Sequence, residues 1–175
     1  MNTNKKAYTF VFLVLAMYGT WYLLYELWIS PHTRLDIFFK DLTGDFSHYL
    51  LDFLGYDAFY KNQLVSIDGR ACVSIGVPCN AVPLYALFSI FILASSNKKS
   101  FLWKLIFLVF GNVFIFKLNV IRIVLLALHH HYAQSNFEQH HFVFNTVVWT
   151  AIFLMWVYWL NHFANFREEN PHSAA

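Results

Sequence analysis

The chain has 175 residues, of which 58% are hydrophobic, 21% aromatic and only 13% charged. About a quarter of the residues in soluble domains are charged, so this composition argues against a soluble fold and favours a bilayer as the solvent. The net charge of +2 is too small to indicate a nucleic-acid partner, and a chain with only Cys72 and Cys79 cannot form a disulfide-rich scaffold.

The first apolar run covers about residues 7–29 and follows Lys5 and Lys6. It is too long for a signal peptide and has no small-residue cleavage site, so it predicts a retained transmembrane helix. Ser30 and Pro31 mark its expected end, because proline cannot continue a helix.

Residues 32–62 mix charged and apolar side chains, with apolar residues such as Tyr49 and Phe53 at helical spacing. This pattern predicts an amphipathic helix at the membrane interface. Asp68 and Gly69 then separate two short β-rich runs, which indicates a β-hairpin. The hairpin belongs outside the hydrocarbon, because lipid-exposed sheet edges leave backbone groups unpaired.

Three further transmembrane spans are predicted at about residues 81–96, 101–120 and 144–162. The apolar stretch 101–128 is too long for one straight crossing, and polar residues or glycine interrupt it at 111–112 and 117–119. We therefore expect a bend, or a helix that continues toward the surface, after the crossing. The histidine-rich segment 129–143 is expected to be a loop.

Lysine and arginine in short loops favour the cytoplasmic side. Lys5 and Lys6 at the N-terminus and Lys98, Lys99 and Lys104 after the second span are the basic groups. Two crossings separate them, so they lie on one side.

Four crossings then put both termini in the cytoplasm and residues 30–79 and 129–143 outside. The sequence therefore predicts an all-α polytopic membrane protein with about four transmembrane helices, an external amphipathic helix and a short β-hairpin. We expect a single membrane domain over residues 1–175.

This topology brings three kinds of reactive group to the outer face. Cys79 lies at the outer mouth of the second span, and His140 and His141 precede the fourth. Arg122 lies about 20 residues into the third helix, and a rise of about 1.5 Å per residue carries it to the same depth. A thiol, a guanidinium and an imidazole at one depth indicate a catalytic site.

Cys79 is expected to open a helix at Asn80, and a helix N-terminus favours the reactive thiolate. Two other interpretations of Cys79 remain open at this point: a small residue packed in the core, or a disulfide with Cys72.

A charged arginine within the bilayer costs free energy unless it is paired or its guanidinium reaches the headgroups. Arg122 is therefore a candidate functional residue. Its fork of donors suits an oxyanion or a carboxylate. Asn119 lies one turn earlier on the same face and could orient the arginine or a substrate carbonyl.

Histidines are abundant between residues 129 and 141, and an imidazole suits general acid–base chemistry beside a thiol. They could instead bind a metal or simply form an exposed polar loop. His141 is preferred because it adjoins the apolar start of the last span. Asn145 lies one turn later on the same face.

The Pro-Cys-Asn segment at Cys79, the pattern Asn119-Val120-Ile121-Arg122-Ile123 and a histidine before the last helix resemble the exosortase/archaeosortase family, in a compact form similar to that of Bacteroidetes-type bacteria. The resemblance covers roughly residues 65–159. It departs from the family at Ala81, where the common form has glycine, and at Asn145, where the family often has glycine.

The resemblance implies a membrane cysteine peptidase or transpeptidase without a cofactor or metal. Cys79 would be the nucleophile, Arg122 the oxyanion or substrate ligand, and His141, alternatively His140, the acid–base, with Asn80 among the orienting residues. The implied substrate is an exported protein with a C-terminal motif, a transmembrane helix and a basic tail.

The implied location is the bacterial inner membrane, with the site on the periplasmic face. The rival hypothesis is a non-enzymatic membrane protein with a Cys72–Cys79 disulfide and a metal-binding histidine loop. A structural subunit of an export machine is a third possibility.

Overall fold

The computed structural model describes residues 3–76, 79, 81–95, 101–133 and 137–163, of which the side chains of residues 3–6, 133 and 137–144 are outside the description. The chain is mostly helical, with one small sheet. The helices are α1 Thr3–Leu24, α2 Ser30–His32, α3 Leu35–Phe53, α4 Val82–Ala94, α5 Phe101–Ala133 and α6 Phe137–His162. The strands are β1 Ala58–Lys61, β2 Leu64–Ile67 and β3 Arg70–Ser74.

The first helical run continues past the predicted stop at Ser30 and Pro31. A π-helical turn, Tyr25–Ile29, joins α1 to α2, which ends at His32. Pro31 follows the π-helical turn directly, and the helical run ends one residue later, at His32. The side chains of Tyr25 and Ser30 both donate hydrogen bonds to the buried carboxylate of Asp36, which attaches this run to the start of α3.

The predicted amphipathic helix corresponds to α3, and the predicted hairpin to β2 and β3. Asp68 and Gly69 form the two-residue turn between Ile67 and Arg70, and both have positive φ, at 51° and 74°. Positive φ at both positions is the geometry that favours aspartate followed by glycine. The sequence did not predict β1, which pairs antiparallel with β2 to complete a three-stranded sheet.

Helix α5 corrects two predictions. It runs unbroken through residues 111–112 and 117–119, so neither interrupts it, and it continues through His131 where a loop was expected. Gly111 permits close packing: a Cβ there would lie 2.2 Å from the ring of Phe88. The predicted loop 129–143 is therefore helical up to Ala133 and again from Phe137.

Two apolar clusters lie along α5, which packs against α3, α4, α6 and β3. The first combines the sheet with the C-terminal half of α5 and includes Ile67, Val73 and Ile123. The second combines α4, the N-terminal half of α5 and α6, and includes Phe88 and Trp159. The small sheet and helices α3, α4 and α6 thus pack against one central helix, α5.

Two helices in the described part of the chain are long and apolar enough to cross a bilayer, over Ala7–His32 and Phe101–Tyr132. Helix α4 is apolar but has only 13 residues, a length of about 20 Å against about 30 Å of hydrocarbon. The four-crossing arrangement and the single-domain boundaries remain predictions.

Candidate active site

Cys79 lies between the sheet and the helical bundle. Its residue is 7% exposed, and its backbone N–H donates to the carbonyl oxygen of Gly76 at 3.0 Å. The side-chain amide of Asn119, on α5, donates to the backbone carbonyl oxygen of Cys79 at 2.8 Å. One hydrogen bond therefore fixes the cysteine segment to the central helix.

Cys79 does not open a helix directly, contrary to the prediction. Helix α4 begins at Val82, and Ala81 precedes it in the left-handed conformation, with φ at 57°. Because the thiol stands three residues before the helix, the α4 dipole is a weaker influence on it than expected. Asn80, predicted to orient the substrate, lies outside the described residues.

Arg122, on α5, is the charged residue that interacts with Cys79. It is 4% exposed, and its Nη1 donates to Oδ1 of Asn145, on α6, at 2.6 Å. The guanidinium also interacts electrostatically with the side chains of Cys79 and Tyr85. The structure thus brings together Cys79, Asn119, Arg122 and Asn145 from three separate stretches of chain.

Several polar atoms around Arg122 are buried without a hydrogen-bond partner in the described part of the chain. They are Nε and Nη2 of Arg122, Oδ1 of Asn119 and the hydroxyl of Tyr85. Such atoms are rare in native proteins, because each costs about 1–3 kcal/mol when it is left unpaired. Their concentration around one arginine favours a site that binds a polar ligand.

Neither Tyr85 nor Asn112, whose Oδ1 is also buried without a partner among the described residues, was predicted as a site residue. One signal was available for Asn112, because it lies seven residues before Asn119 and so falls on the same face of a helix. No comparable signal marked Tyr85, which is a single tyrosine in an apolar helix.

His140 and His141 belong to the first two turns of α6, but their side chains are not among those described. Asn145 lies four residues after His141 on the same helix.

Cys72 and Cys79 are both free thiols, so the structure contradicts the predicted alternative of a disulfide between them. Burial raises the pKa of the Cys72 thiol. Cys72 lines a separate cavity of about 280 Å³ with Arg70, His130 and His131. Within the described ranges, no three His, Cys, Asp or Glu side chains are grouped so as to hold a metal ion.

A family model of transmembrane exosortases matches residues 4–158. The chain belongs to the transmembrane exosortase family. The match covers most of the sequence and contains every candidate site residue. Curated proteins and solved structures give no match.

Membership in the family makes this exosortase a membrane protein of a class that processes the sorting signals of exported proteins. The family is one of peptidases and transpeptidases. Membership confirms the resemblance seen in the residues around Cys79 and Arg122.

Proposed function

We propose that this exosortase cleaves C-terminal sorting signals by thioester acyl transfer, with Cys79 as the nucleophile. The observation that carries the proposal is the buried guanidinium of Arg122, which interacts electrostatically with the thiol and has two N–H donors without partners among the described residues. A nearby cation favours the thiolate, and free donors beside a nucleophile suit the oxyanion of an acyl-transfer intermediate.

In the first step, Sγ of Cys79 attacks the carbonyl carbon of the scissile peptide bond while a histidine takes the thiol proton. The oxyanion forms beside Nε and Nη2 of Arg122. The C–N bond then breaks, and the histidine returns the proton to the leaving amine. An amine or water attacks the resulting thioester and releases the product.

We propose His141 rather than His140 as the histidine. Residues four apart share a helix face, and Asn145 accepts a hydrogen bond from Arg122. The helical spacing to Asn145 therefore favours position 141 over position 140 for this role.

The proposed location is the bacterial inner membrane, with four crossings, cytoplasmic termini and the site on the periplasmic face. The proposed substrate is an exported protein with a short C-terminal motif, a transmembrane helix and a basic tail. That architecture would present the scissile bond just outside the hydrocarbon, at the level of the site.

Substrate processing tests the activity. Cells express a candidate substrate of this architecture, encoded beside this chain, with wild type, Cys79→Ser or Cys72→Ser. We expect Cys79→Ser to abolish processing and to remove a hydroxylamine-sensitive adduct of enzyme and substrate. Cys72→Ser is the matched control, because it also replaces a buried thiol, and it should process normally. Unchanged processing by Cys79→Ser would refute the proposal.

Labelling with a membrane-impermeant maleimide tests the orientation. In a protein lacking both native cysteines, Asp68→Cys at the hairpin tip should react in cells whose outer membrane alone is permeabilised. Asn161→Cys at the end of α6 should react only after the inner membrane is opened. The reverse pattern would invert the topology.

A further inference from the structure

A polar cavity of about 280 Å³ lies at the C-terminal end of α5, apart from the candidate active site. Its lining residues are Arg70, Cys72, His130 and His131. The first two belong to β3, and the two histidines belong to the last turns of α5. His130 lies eight positions after Arg122, which corresponds to about 12 Å along the helix axis. The proposed acyl transfer does not use this cavity.

The hairpin places the side chain of Arg70 at the cavity. Arg70 pairs with Ile67 across the hairpin, and directly paired residues carry their side chains on the same face of a sheet. Ile67 is fully buried in the apolar cluster that the sheet forms with α5. Arg70 is exposed, so it lies at the rim of that packed face. Its guanidinium acts electrostatically on the Cys72 thiol, and it is therefore both close to the cavity and accessible from outside.

The charges around the cavity favour an anionic ligand. Arg70 stays protonated at every physiological pH and makes no ion pair within the described part of the chain. Oδ2 of Asp68 lies 3.5 Å from Nε2 of His131, so this carboxylate pairs with an imidazole. Burial raises the pKa of the Cys72 thiol, which is therefore protonated and uncharged at neutral pH.

The lining suits an anion better than a metal ion. Thiols and imidazoles are common metal ligands. Within the described ranges, however, no three such side chains are grouped so as to hold a metal, and the guanidinium beside them repels a cation. The donors of a guanidinium form a planar fork that matches the oxygens of a phosphate group. Imidazole N–H groups add donors of the same kind.

The position of the cavity along α5 indicates a source for the anion. His130 lies 29 positions after Phe101, the first residue of α5, and this separation corresponds to about 44 Å of helix. A bilayer with its headgroups is about 40–45 Å thick. In the proposed topology α5 begins at the cytoplasmic surface, so the cavity lies at the level of the outer headgroups. Phospholipid phosphates are abundant at that level.

We propose that this cavity is a phosphate-binding site that holds the headgroup of a phospholipid from the outer leaflet. The guanidinium of Arg70 is the principal ligand, and the two imidazoles complete the wall. A headgroup bound here attaches the sheet to the membrane surface, because Arg70 belongs to the hairpin. The site does not depend on the chemistry proposed for Cys79, since none of its lining residues takes part in that reaction.

Protection of Cys72 from alkylation tests the site locally, because this thiol lines the cavity. Purified Cys79→Ser protein in dodecyl maltoside, a detergent without phosphate, reacts with iodoacetamide at alkaline pH in the presence of dioctanoyl phosphatidylglycerol. At about ten times its Kd the lipid should slow alkylation about tenfold, in proportion to the fraction of empty sites. Dioctanoylglycerol has the same acyl chains without the phosphate, so it is the control and should leave the rate unchanged.

Variants of the same protein separate a phosphate contact from a general effect of lipid. Arg70→Gln should raise the lipid concentration for half-protection at least about tenfold, as expected for the loss of hydrogen bonds to a charged group. Arg70→Lys keeps the charge but loses the fork, so it should raise that concentration less. Lys61→Gln removes an equal charge from an exposed position of β1 on the same sheet. It is the matched control and should behave like the parent protein.

Inorganic phosphate distinguishes a soluble anion from a lipid. We expect it to protect Cys72 much less than the phospholipid does at the same concentration, because it makes no contact through acyl chains. Equal protection by inorganic phosphate, lost in Arg70→Gln, would support the phosphate site and assign it a soluble ligand. Absence of protection by both, or equal protection of the parent and Arg70→Gln, would overturn the site, even when Cys79-dependent processing is intact.

Discussion

The side-chain amide of Asn119 donates a hydrogen bond of 2.8 Å to the backbone carbonyl oxygen of Cys79, across 40 positions of sequence. Asn119 lies one helical turn before Arg122 on α5. Helix α5 thus holds the cysteine segment through Asn119. One turn later on the same face, it places the positive charge of Arg122 beside the Cys79 thiol. Any change that releases this bond alters the position of the thiol relative to the guanidinium.

Asn119→Leu should therefore impair processing of the candidate substrate. Leucine has a similar volume but cannot donate to the Cys79 carbonyl, and a nucleophile displaced by about 1 Å loses roughly 100-fold in rate. The rate of precursor cleavage, normalised to the amount of folded protein, measures the effect. Asn161→Leu, exposed at the end of α6, is the control. Rates within threefold of wild type for Asn119→Leu would contradict the positioning role.

Substitutions of Arg122 should lower the cleavage activity without lowering the stability of the protein. Arg122→Lys keeps the charge but loses the planar fork, and we expect cleavage to fall about 100- to 1,000-fold, as on removal of an oxyanion donor. Arg122→Met should be equally inactive. Its melting temperature in detergent should not fall below that of wild type, because a buried charge without a carboxylate partner among the described residues is costly to keep.

A structural role for Arg122 predicts the opposite result. In that case Arg122→Met would melt well below wild type, and Arg122→Lys, which keeps the charge, would retain most of the activity. The two variants measured together therefore decide between a ligand for the substrate and a packing residue.

Ala81→Gly should be neutral or stabilising. Ala81 has φ at 57°, a conformation that costs a residue with a Cβ about 1–2 kcal/mol and costs glycine nothing. Ala86→Gly, in the middle of α4, is the matched control and should lose about 1 kcal/mol of unfolding free energy. Thermal unfolding in nanodiscs measures both, and a large loss for Ala81→Gly would exclude relief of strain.

Alkylation of Cys72 should depend on pH in a direction set by its environment. Burial raises the pKa of its thiol, so at any given pH a smaller fraction is thiolate than in the unfolded chain. Because the thiolate is the reactive form, labelling of the Cys79→Ser protein should be slow at neutral pH and should accelerate at more alkaline pH than in the denatured protein. Iodoacetamide rates across pH 6–10 measure the shift, and coincident profiles would rule it out.

Local chemistry explains which parts of the fold could be predicted. The membrane class follows from apolar composition, and the turn at Asp68 and Gly69 follows from the positive φ that these residue types tolerate. The amphipathic pattern of α3 has the same local character, since residues three and four apart share a face whatever the rest of the chain does. Cys79 and Arg122 stood out by chemistry alone, as a thiol and a charge in an apolar chain.

Predictions made from local sequence alone were wrong for the course of helix α5. Gly111 was expected to interrupt α5, but it stays helical, and the ring of Phe88 packs directly against it. His129, His130 and His131 were expected in a loop, but α5 continues through them to Ala133.

Composition and the motifs around Cys79 and Arg122 were enough to predict a membrane protein of the exosortase family, with this thiol and this guanidinium in its candidate site. The contacts between the site residues appear only in the folded chain: Asn119 holds the Cys79 carbonyl, Asn145 holds Arg122, and Tyr85 and Asn112 line one groove. The difference lies in the sequence separation of the residues involved. Periodicity and backbone preference act over a few residues, whereas these partners lie 23 to 40 positions apart and meet only when the helices pack around α5.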